Sequence, residues 1–481
     1  MPPHYIPFED MEEYDMKKGY EKKDVRLSKF ILFTKTSKGD YLIYSTKNDR
    51  FIKCSKSMYM ELSQYKPGDK IADKNIFPKK VIDGLMEVGV LCGKFDDQDY
   101  LSKLQYISSV FQHRNKNLSL VLVPTLDCNF ACPYCFEVDK RPSYMTSGII
   151  DSLIEFIEVK KNEIEALDIT WYGGEPLMAW KVIVEILNRI KQLGIPLGNH
   201  AMITNGYNLI PNVYKKITDV FPLKKIQVTL DGDEERHNSL RCLKGSIIRK
   251  KEEGTFKRII QNIRSFAIDN PDTKINIRIN IDETNKMSFQ NVVNKLTSVL
   301  EFSNVSCYPG FIRIENEEKT EAISPTINKY EALRINHEHL QSIKCKSFDY
   351  PKLTYKRTCT ATHPNAHIIG PEGEIYRCWN DVSDKTKVVG NINSSEIQNQ
   401  ILYFRYLQSL AWYNDSECNS CSLLPICSGK CAWYAMKNKF EAGKYELCNS
   451  PLKVEQLKDE ILESYYYHKL EKNHNNINKK L

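Results

Sequence analysis

The chain has 481 residues, 41% hydrophobic and 27% charged, an ordinary globular composition with room for roughly two to four domains. Its 21 Gly and 20 Pro are too few for a collagen-like or low-complexity chain, and 68 basic against 61 acidic residues is too thin an excess to indicate nucleic acid. No apolar run approaches the ~20 residues that span a bilayer, and the acidic opening MPPHYIPFEDMEEYDMKK lacks the apolar stretch of a secretion signal. A cytoplasmic protein is expected, in which the 15 Cys stay reduced; reduced cysteines that cluster usually bind metal.

In chain order, Leu27–Thr34 and Tyr41–Ser45 alternate around Lys38-Gly39-Asp40, which predicts a hairpin, and Phe51–Cys54 reads as a third strand. Helical patterns follow near Ser57–Gln64 and Pro78–Val88. Next come Cys128, Cys132 and Cys135, in TLDCNFACPYCFE. At the Cys frequency of this chain, two more at fixed offsets from a first would arise by chance roughly once in a thousand. Three thiolates on a short loop leave an incomplete tetrahedron for zinc, or a [4Fe–4S] cluster with one iron open to an outside ligand; spacing alone leaves both readings standing.

From Leu118 onward, strand-like and helix-like segments alternate. The predicted strands are Leu118–Thr125, Ala166–Tyr172, Asn199–Thr204, Lys225–Leu230, Lys274–Ile281 and Val305–Arg313, with helices such as Gly148–Val159 and Lys181–Leu193 between them. Six β-α repeats imply a parallel sheet with right-handed crossovers, open or curled into a partial barrel, and such folds bind ligands beyond the carboxyl ends of their strands. The polar motifs fall at those ends: Cys128, then Gly173-Gly174-Glu175-Pro176, Asn205-Gly206, Asp231-Gly232 and Asp282.

The Cys128-x3-Cys132-x2-Cys135 loop, with Tyr134 before its last cysteine and a GGEP turn after the second strand, resembles the radical S-adenosylmethionine (SAM) superfamily. The string from Val228 through His237 to Arg241 resembles a subset of it. The resemblance implies that Cys128, Cys132 and Cys135 are the catalytic cluster ligands and that SAM chelates the fourth iron of a [4Fe–4S] cluster. It also implies SAM contacts from Gly173, Gly174, Glu175 and Pro176. Asn205 and Asp231 on the rim, and Arg278, which shares a strand face with Asn280, are further candidates for SAM.

The later cysteines, Cys359, Cys378, Cys418, Cys421, Cys427, Cys431 and Cys448, resemble the SPASM extension of radical SAM enzymes that modify peptides. By that resemblance Cys359, Cys378 and Cys431 ligate one auxiliary [4Fe–4S] cluster, and Cys418, Cys421, Cys427 and Cys448 a second. The fourth ligand of the first is Cys345 or an open position. Cys54, Cys92, Cys242 and Cys307 read as plain thiols, and His363 and His367 as local hydrogen-bonders. GEIYRC is expected as a short hairpin strand, and Pro451–Tyr465 as an amphipathic helix closing the domain.

The expected architecture is α/β: a partial (β/α)6 TIM-like barrel over 106–343, a winged-helix-like peptide-recognition domain over 1–105, a SPASM domain over 344–468, and a disordered tail over 469–481. The N-terminal domain resembles those that bind a leader peptide by strand addition. The implied activity is cleavage of SAM to a 5′-deoxyadenosyl radical, then a thioether or carbon–carbon cross-link in a ribosomally made precursor peptide. Expected partners are that peptide with its leader and a flavodoxin or ferredoxin. Anaerobic sulfatase-maturating enzymes carry a general-base Asp directly after the cysteine matching Cys378; here Trp379 holds that place and Asp381 follows, which disfavours formylglycine formation. A zinc-stapled peptide-binding protein without catalysis is the contrasting class.

Overall fold

The computed structural model describes residues 24–71, 77–113, 116–135, 142–245, 254–312, 326–344, 350–354, 359–394 and 396–478, with side chains to residue 471. Cys345, the start of the N-terminal segment and Arg313 lie outside the described residues.

The N-terminal region opens with β1 (Arg26–Leu27), followed by β2 (Ile31–Lys35), β3 (Tyr41–Ser45) and β4 (Arg50–Cys54). The last three form an antiparallel sheet in the order β2-β3-β4, backed by α1 (Lys56–Leu62) and α2 (Lys79–Glu87). The single strand expected over Leu27–Thr34 is broken at Ser28–Phe30. There the carboxylate of buried Asp97 accepts hydrogen bonds from the Ser28 hydroxyl (3.0 Å) and the Lys29 amide (2.6 Å), and pairs with Lys47 at 2.8 Å. The residues before the break pair elsewhere: β1 lies antiparallel to β5 (Leu91–Cys92), ahead of α3 (Asp96–His113).

All six core strands form: β6 (Asn117–Leu122), β7 (Ala166–Trp171), β8 (Leu197–Thr204), β9 (Lys225–Leu230), β10 (Lys274–Ile281) and β11 (Val305–Phe311). Each pairs in parallel with the next, and the intervening helices α4 (Ser147–Val159), α5 (Trp180–Leu193), α6 (Pro211–Thr218), α7 (Glu234–Leu240), α8 (Thr255–Asp269) and α9 (Phe289–Val299) supply the crossovers. Strand alternation divides the sheet. Leu118, Leu120, Leu167, Ile169, Val228 and Ile277 are buried against helix residues such as Ile183, Ile186, Leu187 and Ile190, which recur at helical spacing on α5. On the other face β9, β10 and β11 present Gln227, Asp231, Arg278, Asn280 and Tyr308. That face is polar only here; on β6 Val121 is buried in an apolar cluster with Ile368 and Tyr376.

Beyond α10 (Lys329–Ser342), the expected GEIYRC strand is part of this same sheet. β12 (Ala366–Ile369) runs parallel to β6, and β13 (Glu374–Tyr376) and β14 (Gly390–Asn391) continue antiparallel, giving the order β11-β10-β9-β8-β7-β6-β12-β13-β14. Cys378, two residues past β13, is thereby set beside this sheet. The helices α11 (Gln400–Gln408) and α12 (Ala432–Phe440) pack near it, and α13 (Glu455–Asn478) closes the chain. The helix expected to stop at Tyr465 thus continues through most of the segment expected as a disordered tail. Lys469 ties that extension to Asp49 through an ion pair at 2.8 Å.

The N-terminal sheet packs on the C-terminal region: Leu32 and Tyr44 share a core with Leu423, Leu457, Ile461 and Tyr465. The Thr34 hydroxyl donates to Asp459 at 2.8 Å, and the Thr46 hydroxyl to the Ser422 carbonyl at 2.6 Å. Among the described residues no helix is long and apolar enough to cross a membrane. Replacing Asp97 by Ala leaves Lys47 buried without its carboxylate, and is expected to cost about 3–5 kcal/mol in urea unfolding. An unchanged midpoint would show that the broken strand does not depend on it.

Candidate active site

The cysteine loop leaves β6 through a chain of local hydrogen bonds. The Asp127 amide donates to the Thr125 hydroxyl (2.9 Å) and the Cys128 amide to the Asp127 carboxylate (2.9 Å), so the loop turns tightly beyond the strand. Cys128 is buried, and its sulfur accepts from the Phe130 amide at 3.4 Å, with the Asn205 amide group at 4.0 Å. Asn205 also donates to the Asn129 side chain at 2.7 Å, which brings the turn after β8 onto the cysteine loop. Residues after α7 brace the loop from the other side: the Ala131 amide donates to the Cys242 carbonyl, the Lys244 amide to the Asn129 carbonyl, and Lys244 pairs with Asp127 at 2.8 Å.

The GGEP turn is stacked directly on the same loop. Gly174 and Glu175 donate their amides to the carbonyls of Thr125 (3.2 Å) and Asp127 (2.8 Å). A Cβ on Gly173 would stand 2.5 Å from the Thr125 carbonyl oxygen, and one on Gly174 would stand 2.5 Å from that of Leu126 and closer still to that of Asp127. Gly173 also has φ of 117°, which favours glycine. Pro176, buried, starts the short helix that follows. Glu175 is fully buried, and its carboxylate accepts from the Leu177 amide (3.0 Å), the Thr204 hydroxyl (2.6 Å) and the Asn205 amide (2.7 Å). Burial raises its pKa, and those three bonds pull the other way. In this arrangement Glu175 clasps the end of β7 to the end of β8.

A second polar cluster lies on the rim beside Cys132. The Tyr134 hydroxyl donates to Asp231, whose other oxygen accepts from Asn280 at 2.8 Å; Arg241 stands 3.8 Å from the same carboxylate and donates to the Tyr134 oxygen at 3.3 Å. Arg278 joins from below, its Nε donating to Asn280 at 3.0 Å. Burial and the Asp231 charge hold the Tyr134 phenol neutral, well above its usual pKa. Burial works against the Arg241 charge, yet Cys132, Tyr134 and Asp231 together raise its pKa well above the ordinary value. A fixed cation beside Cys132 favours the thiolate form that iron requires. Asn205 and Asp231 thus meet the cysteine loop at the rim, and Arg278, below it, is linked to Asp231 through Asn280. Sequence reasoning passed over Arg241 as a site group and read Tyr134 only as an aromatic; the strong signal for both is their place around Asp231, which only folding creates.

The later cysteines fall into two groups. Cys359, Cys378 and Cys431 lie within electrostatic reach of one another, as Cys421 does of Cys427 and Cys448, and Cys418 of Cys427. Fully buried Arg377, next to Cys378, gathers the first group by donating to the carbonyls of Thr360, Ala361, His363 and Ala366 at 2.6–3.2 Å. Asp381, buried, accepts from the Tyr406 hydroxyl (2.6 Å) and the Trp433 indole (2.9 Å), and burial pushes its carboxyl up to about 6. Neither the buried position of Arg377 nor the engagement of both Asp381 oxygens has a local signal in the sequence. Among the described residues no three His, Cys, Asp or Glu side chains close around a single metal ion. The donors present are thiols in open groups with N–H groups aimed at sulfur, as the Gly429 amide is at Cys427 (3.3 Å), and this chemistry fits anionic thiolate cages.

Residues 122–289 match the model of the radical SAM superfamily. That stretch is a radical SAM domain. The chain is 22% identical over 464 residues to the radical SAM cyclopropyl synthase TigE of Paramaledivibacter caminithermalis, a match covering 85% of this chain and 90% of that protein. Its fold is similar to that of anSMEcpe solved with AdoMet and the Cp18Cys peptide: TM-score 0.55 and 18% identity, covering 75% of this chain and 99% of the other. Streptococcus suis SuiB bound to S-adenosylmethionine matches with a TM-score of 0.48 and 17% identity, covering 86% and 96%.

Forcing a methyl group between the GGEP turn and the cysteine loop should separate them. Gly174→Ala is expected to lose about 1–3 kcal/mol of stability and roughly tenfold in SAM affinity, read by urea unfolding and equilibrium binding of SAM to reconstituted enzyme. Unaltered affinity would mean that the two turns need not touch.

Proposed function

We propose that this radical SAM enzyme carries a SPASM extension and makes a cross-link within a ribosomally made precursor peptide. What supports the reading is that Cys359, Cys378 and Cys431 act on one another electrostatically, as Cys421 does with Cys427 and Cys448, while Cys128 lies apart in the loop after β6. Cys128, Cys132 and Cys135 would hold the SAM-binding [4Fe–4S] cluster. Cys359, Cys378 and Cys431 would hold the first auxiliary cluster, and Cys418, Cys421, Cys427 and Cys448 the second. With cluster and SAM bound, the site is supplied with a 5′-deoxyadenosyl radical that takes a hydrogen atom from an unactivated carbon.

The chain's own residues do the rest. The GGEP turn and Asn205 shape the seat for SAM against the cysteine loop. Arg241 offsets thiolate charge beside Cys132, and Asp231 keeps Arg241, Tyr134 and Asn280 in place. Arg278, Gln227 and Tyr308 line the polar sheet face below the rim, where a peptide segment would lie. The three-stranded N-terminal sheet is the proposed leader-binding domain; its packing on the Leu423–Tyr465 region joins leader recognition to the auxiliary cysteines. A flavodoxin or ferredoxin in an anaerobic cytoplasm would supply electrons. TigE, a cyclopropyl synthase, spans nearly the whole chain and favours carbon–carbon bond formation over a thioether.

Formylglycine formation fares worse. Trp379 occupies the place of the general base, and buried Asp381 has both oxygens engaged by Tyr406 and Trp433. The test is mass spectrometry of a short precursor peptide and a sulfatase-derived peptide after anaerobic incubation with reconstituted enzyme, reductant and SAM. The precursor is expected to lose two hydrogens, with fragmentation blocked between the linked residues. An aldehyde on the sulfatase peptide, with the precursor unchanged, would overturn the reading.

A further inference from the structure

The helices α11 and α12 each have two lives. Their inner faces, Leu402 and Tyr406 on α11 and Ala432, Trp433 and Met436 on α12, are buried together with Ala361 and flanked by Cys378 and Cys431. Their outer faces leave large apolar groups in water: Ile401 is 67% exposed, Phe404 55% and Phe440 39%. Ile401 and Phe404 are one helical turn apart, and Arg405 bridges to α12 by stacking 4.1 Å above the Phe440 ring. Lys439 adds a second cation at 5.4 Å from that ring. Neither Arg405 nor Lys439 is bridged to a carboxylate among the described residues. The neighbouring acid, Glu441, is already held by Lys387 and by Lys437 at 2.7 Å. The patch is therefore apolar at its centre and basic at its edge, the pattern of a protein-docking surface with a preference for acidic partners.

Its position decides which acidic partner. One layer of helix, about 10 Å across, separates this surface from Cys378 and Cys431, which pack against the inner faces of α11 and α12. On the inner side, Trp379, next to Cys378, contacts the ring of Tyr172 at 5.0 Å between centroids, and Tyr172 directly precedes Gly173 of the SAM turn. Surface, cysteine group and SAM turn are thus joined by short steps through aromatic side chains.

We infer that the outer face of α11 and α12 is the docking site for a small acidic electron carrier of the flavodoxin or ferredoxin class. This rests on the reading that Cys359, Cys378 and Cys431 hold a cluster. The step is a single-electron transfer: the reduced carrier is oxidised, the cluster behind α11 and α12 is reduced, and no bond is made or broken. Apolar contact at Phe404 and Phe440 holds the carrier, and Arg405 and Lys439 steer it, so binding weakens as salt rises.

The test uses the reconstituted holoenzyme and a double variant, Phe404→Asp with Arg405→Glu, against an acidic flavodoxin. The flavodoxin dissociation constant, read by titration, is expected to rise at least about tenfold. Flavodoxin-driven peptide modification at limiting carrier should fall in step, while dithionite-driven modification and iron content stay at the wild-type level. Wild-type flavodoxin affinity in the variant would overturn the inference. So would a variant whose only change is in oligomeric state by light scattering, which would assign the patch to a second copy of the chain, or in precursor-peptide affinity. Failure of the underlying reading looks different: the wild type itself would give no product with dithionite.

Discussion

The structure depends on one close approach, the GGEP turn lying flat on the backbone of the cysteine loop. Neither Gly173 nor Gly174 has room for a Cβ, because the carbonyls of Thr125, Leu126 and Asp127 occupy that space. Two amides of the turn use the same carbonyl row as acceptors. The fit fixes the ends of β6 and β7 relative to each other, and Glu175 extends it to β8 through Thr204 and Asn205. Three strand ends become one rim, on which the short cysteine loop turns with its backbone hydrogen-bonded to its neighbours.

The rim is completed by charge. Asp231 would be costly to bury alone, and it is not alone: Tyr134, Asn280 and Arg241 all address it. Arg241 sits where thiolate charge accumulates, so the same cation serves the carboxylate and the cysteine group. A related device recurs in the C-terminal region. Among the described residues Arg377 is buried without a carboxylate and donates to carbonyl oxygens instead, which draws the Thr360–Ala366 segment against the end of β13, next to Cys378. Because β12 pairs with β6 and β13 with β12, Cys378, two residues past β13, is held close to the sheet of the first core strand.

Much of this was legible in the sequence where a periodic signal existed. The six core strands are long, apolar on alternate positions and bounded by turn residues, so their places were readable to within a few residues. The cysteine spacings and the GGEP string carried the family resemblance. What escaped reading depends on contacts between distant segments. Nothing local in the Leu27–Thr34 run announces that Asp97 will pull Ser28 and Lys29 out of the strand. β12 is four residues long, and its parallel pairing to β6 has no signature in either segment. Glu175 was expected as a SAM contact on the strength of its motif; the fold shows its oxygens held by three protein donors. The extension of α13 past Tyr465 follows from Lys469 meeting Asp49, a partner more than four hundred residues away.

Ten of the fifteen cysteines are proposed to form three independent cages. The measurement that tests this proposal most directly is iron and sulfide per chain, on anaerobically reconstituted wild type and on variants lacking each cysteine group in turn. The wild type should hold about twelve irons with little zinc, and each variant should lose about four while keeping the other clusters' electron paramagnetic resonance signals. About four irons in the wild type, or zinc in place of iron at the later cysteines, would contradict it.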